Sequence, residues 1–320
     1  MQLHPVITEQ FICRFRATGD GLILALIVQL TTFNATMTTA AESSHKERGQ
    51  NEIQVLYLAA NVLHSVVLDL KLSTAAEVLT WRLPRSEASE DYAGLTCSND
   101  GMVLAHVARN VRRGAHHARS TELVKLDIAG RAIVPLAQTV PHALSWPVIS
   151  PDGKWIAATV YQDGKDSLAI ISRDSGQTRV IPYDRSASPH AWTADGKIVL
   201  LTTVDTSGKR WEAVEFYLEA QRFNKMRTGG RPIVHENPRR IAVLEDNYRV
   251  VLVVDGGSTP LARFTGFFKD LVQWIDSDRL LAIIGEGPID RFSILEVSSG
   301  NSRTYRLPSS SEINGACVVA

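Results

Sequence analysis

The sequence predicts an all-β fold: a six-bladed β-propeller whose ring is closed by the C-terminal strand joining the first blade. Three observations predict it. A turn-and-strand phrase recurs. Ser150-Pro151-Asp152-Gly153-Lys154-Trp155-Ile156-Ala157-Ala158 returns as Thr193-Ala194-Asp195-Gly196-Lys197-Ile198-Val199-Leu200-Leu201 and, more loosely, as Ser98-Asn99-Asp100-Gly101-Met102-Val103-Leu104-Ala105. The spacing is that of a repeat architecture: 52 residues separate Asp100 from Asp152, and 43 separate Asp152 from Asp195. Short apolar runs alternate with polar turns throughout, with no convincing long helix.

The elements follow in order. Six units span about 50–90, 91–140, 141–186, 187–229, 230–266 and 267–308. Each reads as a tight turn, an apolar strand, a polar turn, a second strand, another turn and a closing strand. The second strands align best, as in Val66-Val67-Leu68-Asp69-Leu70, Leu168-Ala169-Ile170-Ile171-Ser172 and Phe292-Ser293-Ile294-Leu295-Glu296. Units five and six replace the Asp-Gly turn by Asn237-Pro238-Arg239 and Asp276-Ser277-Asp278-Arg279, which also form turns by their chemistry. The longer first interval fits an insertion at residues 109–119 inside the second unit. The first unit lacks a leading strand, and the chain ends on the apolar run Ile313-Asn314-Gly315-Ala316-Cys317-Val318-Val319-Ala320, which is expected to supply it. Residues 55–70 are apolar almost throughout, so periodicity alone allows a helix; alignment with the other second strands decides for strands.

Before the repeats, Arg14 and Arg16 precede the apolar run of residues 21–30, and small and hydroxyl residues follow to Ala41. Basic, apolar, then small is the order of a secretory signal peptide, though the leading segment is long and Asp20 abuts the apolar core. An uncleaved N-terminal anchor and an ordinary buried helix are the alternatives. The expected organisation is a signal peptide or anchor at 1–41, a linker at 42–50 and one β-propeller domain at 51–320. Residues 21–37 are the segment through which a transient membrane contact would be made.

Hydrophobic residues are 44% of the chain and charged residues 21%, enough apolar material for a real core. Lys+Arg and Asp+Glu both number 34, so the chain lacks the basic excess that a general nucleic-acid binder needs. The dense basic patches, 109–119 and 222–231, read as solvated loops. Cys13, Cys97 and Cys317 form no CxxC pair. Cys97 and Cys317 either pair in an oxidising compartment or remain buried thiols. A fold of this size does not need a staple, which favours the thiols.

The phrase Trp146-Pro147-Val148-Ile149-Ser150-Pro151-Asp152-Gly153-Lys154-Trp155-Ile156-Ala157, followed by Leu168-Ala169-Ile170-Ile171 and Asp174-Ser175-Gly176, closely resembles the repeat of TolB-type (WD40-like) β-propellers. The resemblance covers most of residues 50–308, most strongly 141–210. It is specific for the blade and poor for function. Similar blades occur in periplasmic scaffold proteins, in the regulatory propellers of prolyl-oligopeptidase-like peptidases and in some polysaccharide lyases. Residues 1–50 are too short for the α/β domain that precedes the propeller in TolB, and nothing here would supply the peptidases' hydrolase domain.

Catalytic motifs are missing from the sequence: no GxSxG elbow, HExxH, Walker-type loop or GxGxxG. His142, His190 and His235 fall near leading strands of three consecutive units, where an axial metal would sit, since neutral imidazole is a common ligand. Their unequal registers place them at different depths, so the sequence assigns no metal and no cofactor. Asp100, Asp152 and Asp195 recur because the turn needs them: Asp accepts backbone N–H bonds and Gly adopts positive φ. Trp146, Trp155, Trp192 and Trp274 read as packing between blades. The candidate binding surface is Arg109, Arg112, Arg113, His116, His117, Glu286 and Asp290, within the irregular segments 107–121 and 285–290, with 205–210 beside them. The function expected is an exported, non-catalytic propeller, periplasmic or secreted from a bacterium or membrane-anchored. It would bind another protein or a cell-envelope component, and no nucleic acid. The alternative is a metal-dependent lyase or hydrolase acting on a sugar or lactone.

Overall fold

A computed structural model of the chain describes residues 51–85, 90–113, 116–136, 144–162, 165–204, 211–236, 239–245, 250–255, 260–285, 289–308 and 312–319. The expected leader and linker therefore lie outside the described residues, as do His142, Glu286 and residues 205–210. The described residues form six four-stranded antiparallel sheets and no helix. None of them makes a helix long and apolar enough to cross a membrane.

Blade 1 contains β1 (Glu52–Ala59), β2 (Val62–Asp69) and β3 (Thr74–Arg82). Blade 2 contains β4 (Asp91–Cys97), β5 (Val103–Arg113), β6 (His116–Asp127) and β7 (Ala132–Pro135). Blade 3 contains β8 (Leu144–Ile149), β9 (Trp155–Gln162), β10 (Lys165–Ser172) and β11 (Thr178–Ile181). Blade 4 contains β12 (Ala187–Trp192), β13 (Ile198–Val204), β14 (Trp211–Tyr217) and β15 (Arg222–Gly229). Blade 5 contains β16 (Arg231–Glu236), β17 (Arg239–Glu245), β18 (Val250–Asp255) and β19 (Pro260–Thr265). Blade 6 contains β20 (Phe268–Trp274), β21 (Arg279–Gly285), β22 (Asp290–Glu296) and β23 (Asn301–Tyr305). The last strand, β24 (Ile313–Val319), is the innermost strand of blade 1, in the order β24-β1-β2-β3. The C-terminal run thus closes the ring as expected, and residues 55–70 are a hairpin, not a helix.

The central strands are apolar on both faces because both faces are buried. In β1, Leu56 and Leu58 pack toward blade 2, while Val55, Tyr57 and Ala59 pack toward blade 6. That is why the run reads as continuous rather than alternating. Six apolar clusters fill the six seams in turn, the last uniting Leu281, Ile283 and Phe292 of blade 6 with Val55 and Tyr57 of blade 1. Each blade buries its faces only against its neighbours, so the ring is stable only when closed.

The recurring turn does what its chemistry predicts. Ser150 Oγ donates to Asp152 Oδ1 (2.6 Å), which also accepts from Lys154 N (3.1 Å), while Trp155 N donates to Ser150 Oγ (2.9 Å). Thr193, Asp195, Lys197 and Ile198 repeat the pattern at 2.7, 3.1 and 3.1 Å. Gly153 and Gly196 take φ of 69° and 68°, a region that favours glycine.

Three expectations need correction. Segment 109–119 is not a loop: it continues β5 and β6 as a hairpin, with Arg113 opposite His116 and Arg112 opposite His117. Most of segment 222–231 is strand β15. Cys97 and Cys317 are not free thiols but a disulfide, 220 residues apart in sequence. A large total core makes a staple unnecessary for bulk stability, but closure is a separate demand, since the two ends of the ring must be held together.

Candidate functional site: the axial cavity

Inner strands in every blade start at the same end of the ring, since four antiparallel strands per blade return the chain to the end by which it entered. This end, the N-terminal mouth, also carries the hairpins between the second and third strands of each blade. A cavity of about 580 Å³ lies along the axis, walled by residues of all six inner strands. Its volume is in the range of small-ligand pockets, about 300–1,000 Å³.

The inner strands make the wall irregular. Register shifts interrupt β4 between Ala93 and Thr96, β8 between Ser145 and Val148, β12 between Pro189 and Ala191, and β20 between Phe268 and Asp270. The closing strand β24 shifts opposite Leu58 and Ala59. Such bulges re-aim side chains off the regular pleat. The extra residues, among them Gly94, Trp146, His190, Lys269 and Asn314, all line the cavity. Gly94 (φ 65°) is required here: a Cβ would stand 2.7 Å from His106 Nδ1. Trp146 (φ 51°) follows Ser145 into the bulge, and its N–H donates to His106 Nδ1 at 3.2 Å.

Charge collects on the β16–β20–β24 side. Arg231 Nη1 stands 3.6 Å from Asp270 Oδ1. Burial pushes the Asp270 carboxyl above the usual carboxylate range, and the Arg231 charge only partly opposes it. The Asp270 side chain is still 45% accessible, because it lines the open cavity while protein surrounds it. Lys269 Nζ lies 2.7 Å from Asp290 Oδ1 and 3.7 Å from Glu312 Oε1. His190 is held down to about 3, first by burial and then by the Arg231 charge, so its ring is neutral at physiological pH.

The residues singled out in the sequence divide. His190 and His235 sit on the adjacent inner strands β12 and β16, and His235 stacks edge-on against Trp274 with ring centroids 5.8 Å apart. Among the described residues no group of three His, Cys, Asp or Glu is placed to hold a metal. Asp290 is buried, with Ile313 N donating to its Oδ2 at 2.7 Å, so it fastens the start of β24 rather than facing outward. Arg109, Arg112, Arg113, His116 and His117 occupy the β5–β6 hairpin at the N-terminal mouth. Trp192 and Trp274 pack between blades as the sequence suggests, but Trp146 does not: it is half exposed in the cavity. Sequence reasoning missed Arg231, Lys269, Asp270 and Phe267. The signals that could have found them were Gly94, Pro147 and Pro189, breakers inside otherwise strand-like runs, which mark bulges.

No protein-family model matches the chain, and no curated protein does. Solved structures do match. TolB from Acinetobacter baumannii is 14% identical with a TM-score of 0.59, over 93% of this chain and 75% of that one. A chain of a nidogen–laminin complex is 8% identical with a TM-score of 0.62, over 83% and 98%. A puromycin-hydrolysing peptidase of Mycobacterium tuberculosis is 17% identical with a TM-score of 0.51, over 81% of this chain but only 45% of the peptidase. At these identities the likeness establishes the architecture alone, a six-bladed β-propeller like those of the TolB structures.

Proposed function

We propose that the chain is an exported, non-catalytic binding module that receives a protein or cell-envelope component at the N-terminal mouth of its ring. The observation that carries this reading is the axial cavity itself: bulges in five of the six inner strands turn side chains into one recess. Outer strands carry three register shifts of their own, but five of the six inner strands are interrupted, and irregularity concentrated in this way at the axis is the pattern of a site grafted on a fold. The neighbouring structures with TolB and nidogen in their names support a binding role by analogy of fold. The Cys97–Cys317 disulfide supports export, because such bonds persist in oxidising compartments.

The test is capture from an envelope extract of the producing cell by the full chain. Joint replacement of Trp146, Trp211 and Phe267 by alanine should abolish capture of any partner held by the wild type. Joint replacement of Leu72 and Val134, exposed apolar residues away from the mouth, should leave it intact. Equal capture by both variants would contradict the assignment of the mouth.

A further inference from the structure

The β5–β6 hairpin is longer than its blade. The inner strand β4 pairs with β5 only as far as Ala108, and the outer strand β7 pairs with β6 only over Val124–Asp127. Among the described residues the two middle strands continue alone through five more pairs, from Arg109 opposite Ser120 to Arg113 opposite His116. At about 3.3 Å per residue this two-stranded arm runs on the order of 16 Å beyond the sheet. Residues 109–119 hold four Arg and two His and no Asp or Glu, in a chain whose charges balance overall. A lone two-stranded ribbon is marginal in water, and clustered like charges weaken it further. An arm of this kind gains from a partner of opposite charge.

The arm leaves from the N-terminal mouth, and the mouth has a second peculiarity. Every exposed aromatic side chain among the described residues lies there: Trp146, Tyr161, Trp211 and Phe267, each between 48% and 60% accessible. Tyr161 is at the end of β9, Trp211 at the start of β14 and Phe267 just before β20, all at this end of their blades. Exposed Ile289 joins them ahead of β22. The remaining exposed large apolar residues are scattered: Leu72 in a turn on the opposite face, and Val78, Val134 and Leu261 on outermost strands. Aromatic residues and arginine are the types enriched where proteins meet proteins.

From this placement we infer that the mouth docks an acidic segment of a partner protein, with carboxylates against the β5–β6 arm and an aromatic or aliphatic side chain in the axial cavity. The inference rests on the mouth being the binding face and adds the chemistry of the ligand. An anionic lipid surface would also favour arginine and aromatics. It fits less well, because a planar surface cannot fill a recess of about 580 Å³.

The experiment is selection of random displayed peptides on the full, disulfide-bonded chain, followed by affinity measurement of the winners. Enrichment is expected for sequences that combine Asp or Glu with an aromatic or aliphatic anchor. Affinity should fall with rising salt. Arg112→Glu with Arg113→Glu should weaken binding by at least about tenfold at low salt and flatten the salt dependence. Trp146→Ala should weaken binding while leaving the salt dependence in place. Circular dichroism melts of each variant confirm the fold. Winners without acidic residues that still lose affinity in Trp146→Ala overturn the acidic assignment and leave the mouth as the binding face. Binding of phosphatidylglycerol vesicles with no peptide enriched overturns it in favour of lipid. No enrichment and no vesicle binding overturn both the inference and the reading beneath it.

Discussion

Ser98, Ser150 and Thr193 do one job in three blades: each donates its hydroxyl to the turn aspartate two residues on. That donated bond is the main reason the Asp100, Asp152 and Asp195 carboxyls are held below the usual carboxylate range, and Arg173 adds to it at Asp100. A depressed folded pKa contributes stability that is present above the unfolded value, about 3.9, and is lost as pH falls through the folded one. His190 acts at higher pH. With a folded value of about 3 against an ordinary 6.5, it favours the neutral form, so its contribution is complete above about 6.5 and declines from there toward 3. Unfolding midpoints in denaturant, measured across this range for His190→Gln and the unaltered chain, should diverge as pH falls below about 6.5, the variant losing less stability on acidification. Gly230 sets the strictest limit: its φ is 88°, and a Cβ there would collide with the Leu244 carbonyl oxygen. Gly230→Ala should cost more than about 2 kcal/mol in equilibrium unfolding. The turn aspartates were legible because their role is local and repeats. Trp146 was not, since its strand reads as ordinary and only the adjacent Pro147 hints that the pleat is broken.

The element that decides the fold is β24. It pairs with β1 across Gln54–Ala59, and both its ends are fastened to neighbouring blades. At its start, Ile313 N donates to buried Asp290 of blade 6, whose other oxygen meets Lys269. Near its end, Cys317 is bonded to Cys97 of blade 2. Reduction, or Cys317→Ser, should lower the unfolding free energy by about 2–4 kcal/mol, because the bond restrains a loop of over two hundred residues in the unfolded chain. Asp290→Ala should cost about 1–3 kcal/mol by leaving the buried Ile313 N–H without its acceptor. Denaturant titrations with and without reductant check both. Sequence alone placed β24, since an apolar run with no turn after it matched a blade lacking one strand. It ranked the disulfide behind free thiols because pairing depends on two cysteines meeting across a seam, which no local pattern records. It also misread the 109–119 segment as loop, because arginine-rich strands lack the apolar signal by which strands are recognised.

At the scale of the molecule, six seams of buried apolar residues make a ring whose parts support one another only in a circle. Repetition made that ring readable: a pattern seen six times averages out the noise of any one copy. Function is the reverse case. The proposed site lies where copies differ, at the bulges and in the long arm of blade 2, and a single difference has no second copy to confirm it. The decisive measurement for the mouth as the binding face is a photocrosslinking scan of the full chain in cells of the producing organism. A photoreactive residue is placed in turn at Trp211, Tyr161 and Phe267 on the N-terminal mouth, and at Leu72, Val78 and Val134 elsewhere. One partner should be crosslinked from all three mouth positions and from none of the others. Crosslinks to that partner from Leu72, Val78 or Val134, with silence at the mouth, would refute it.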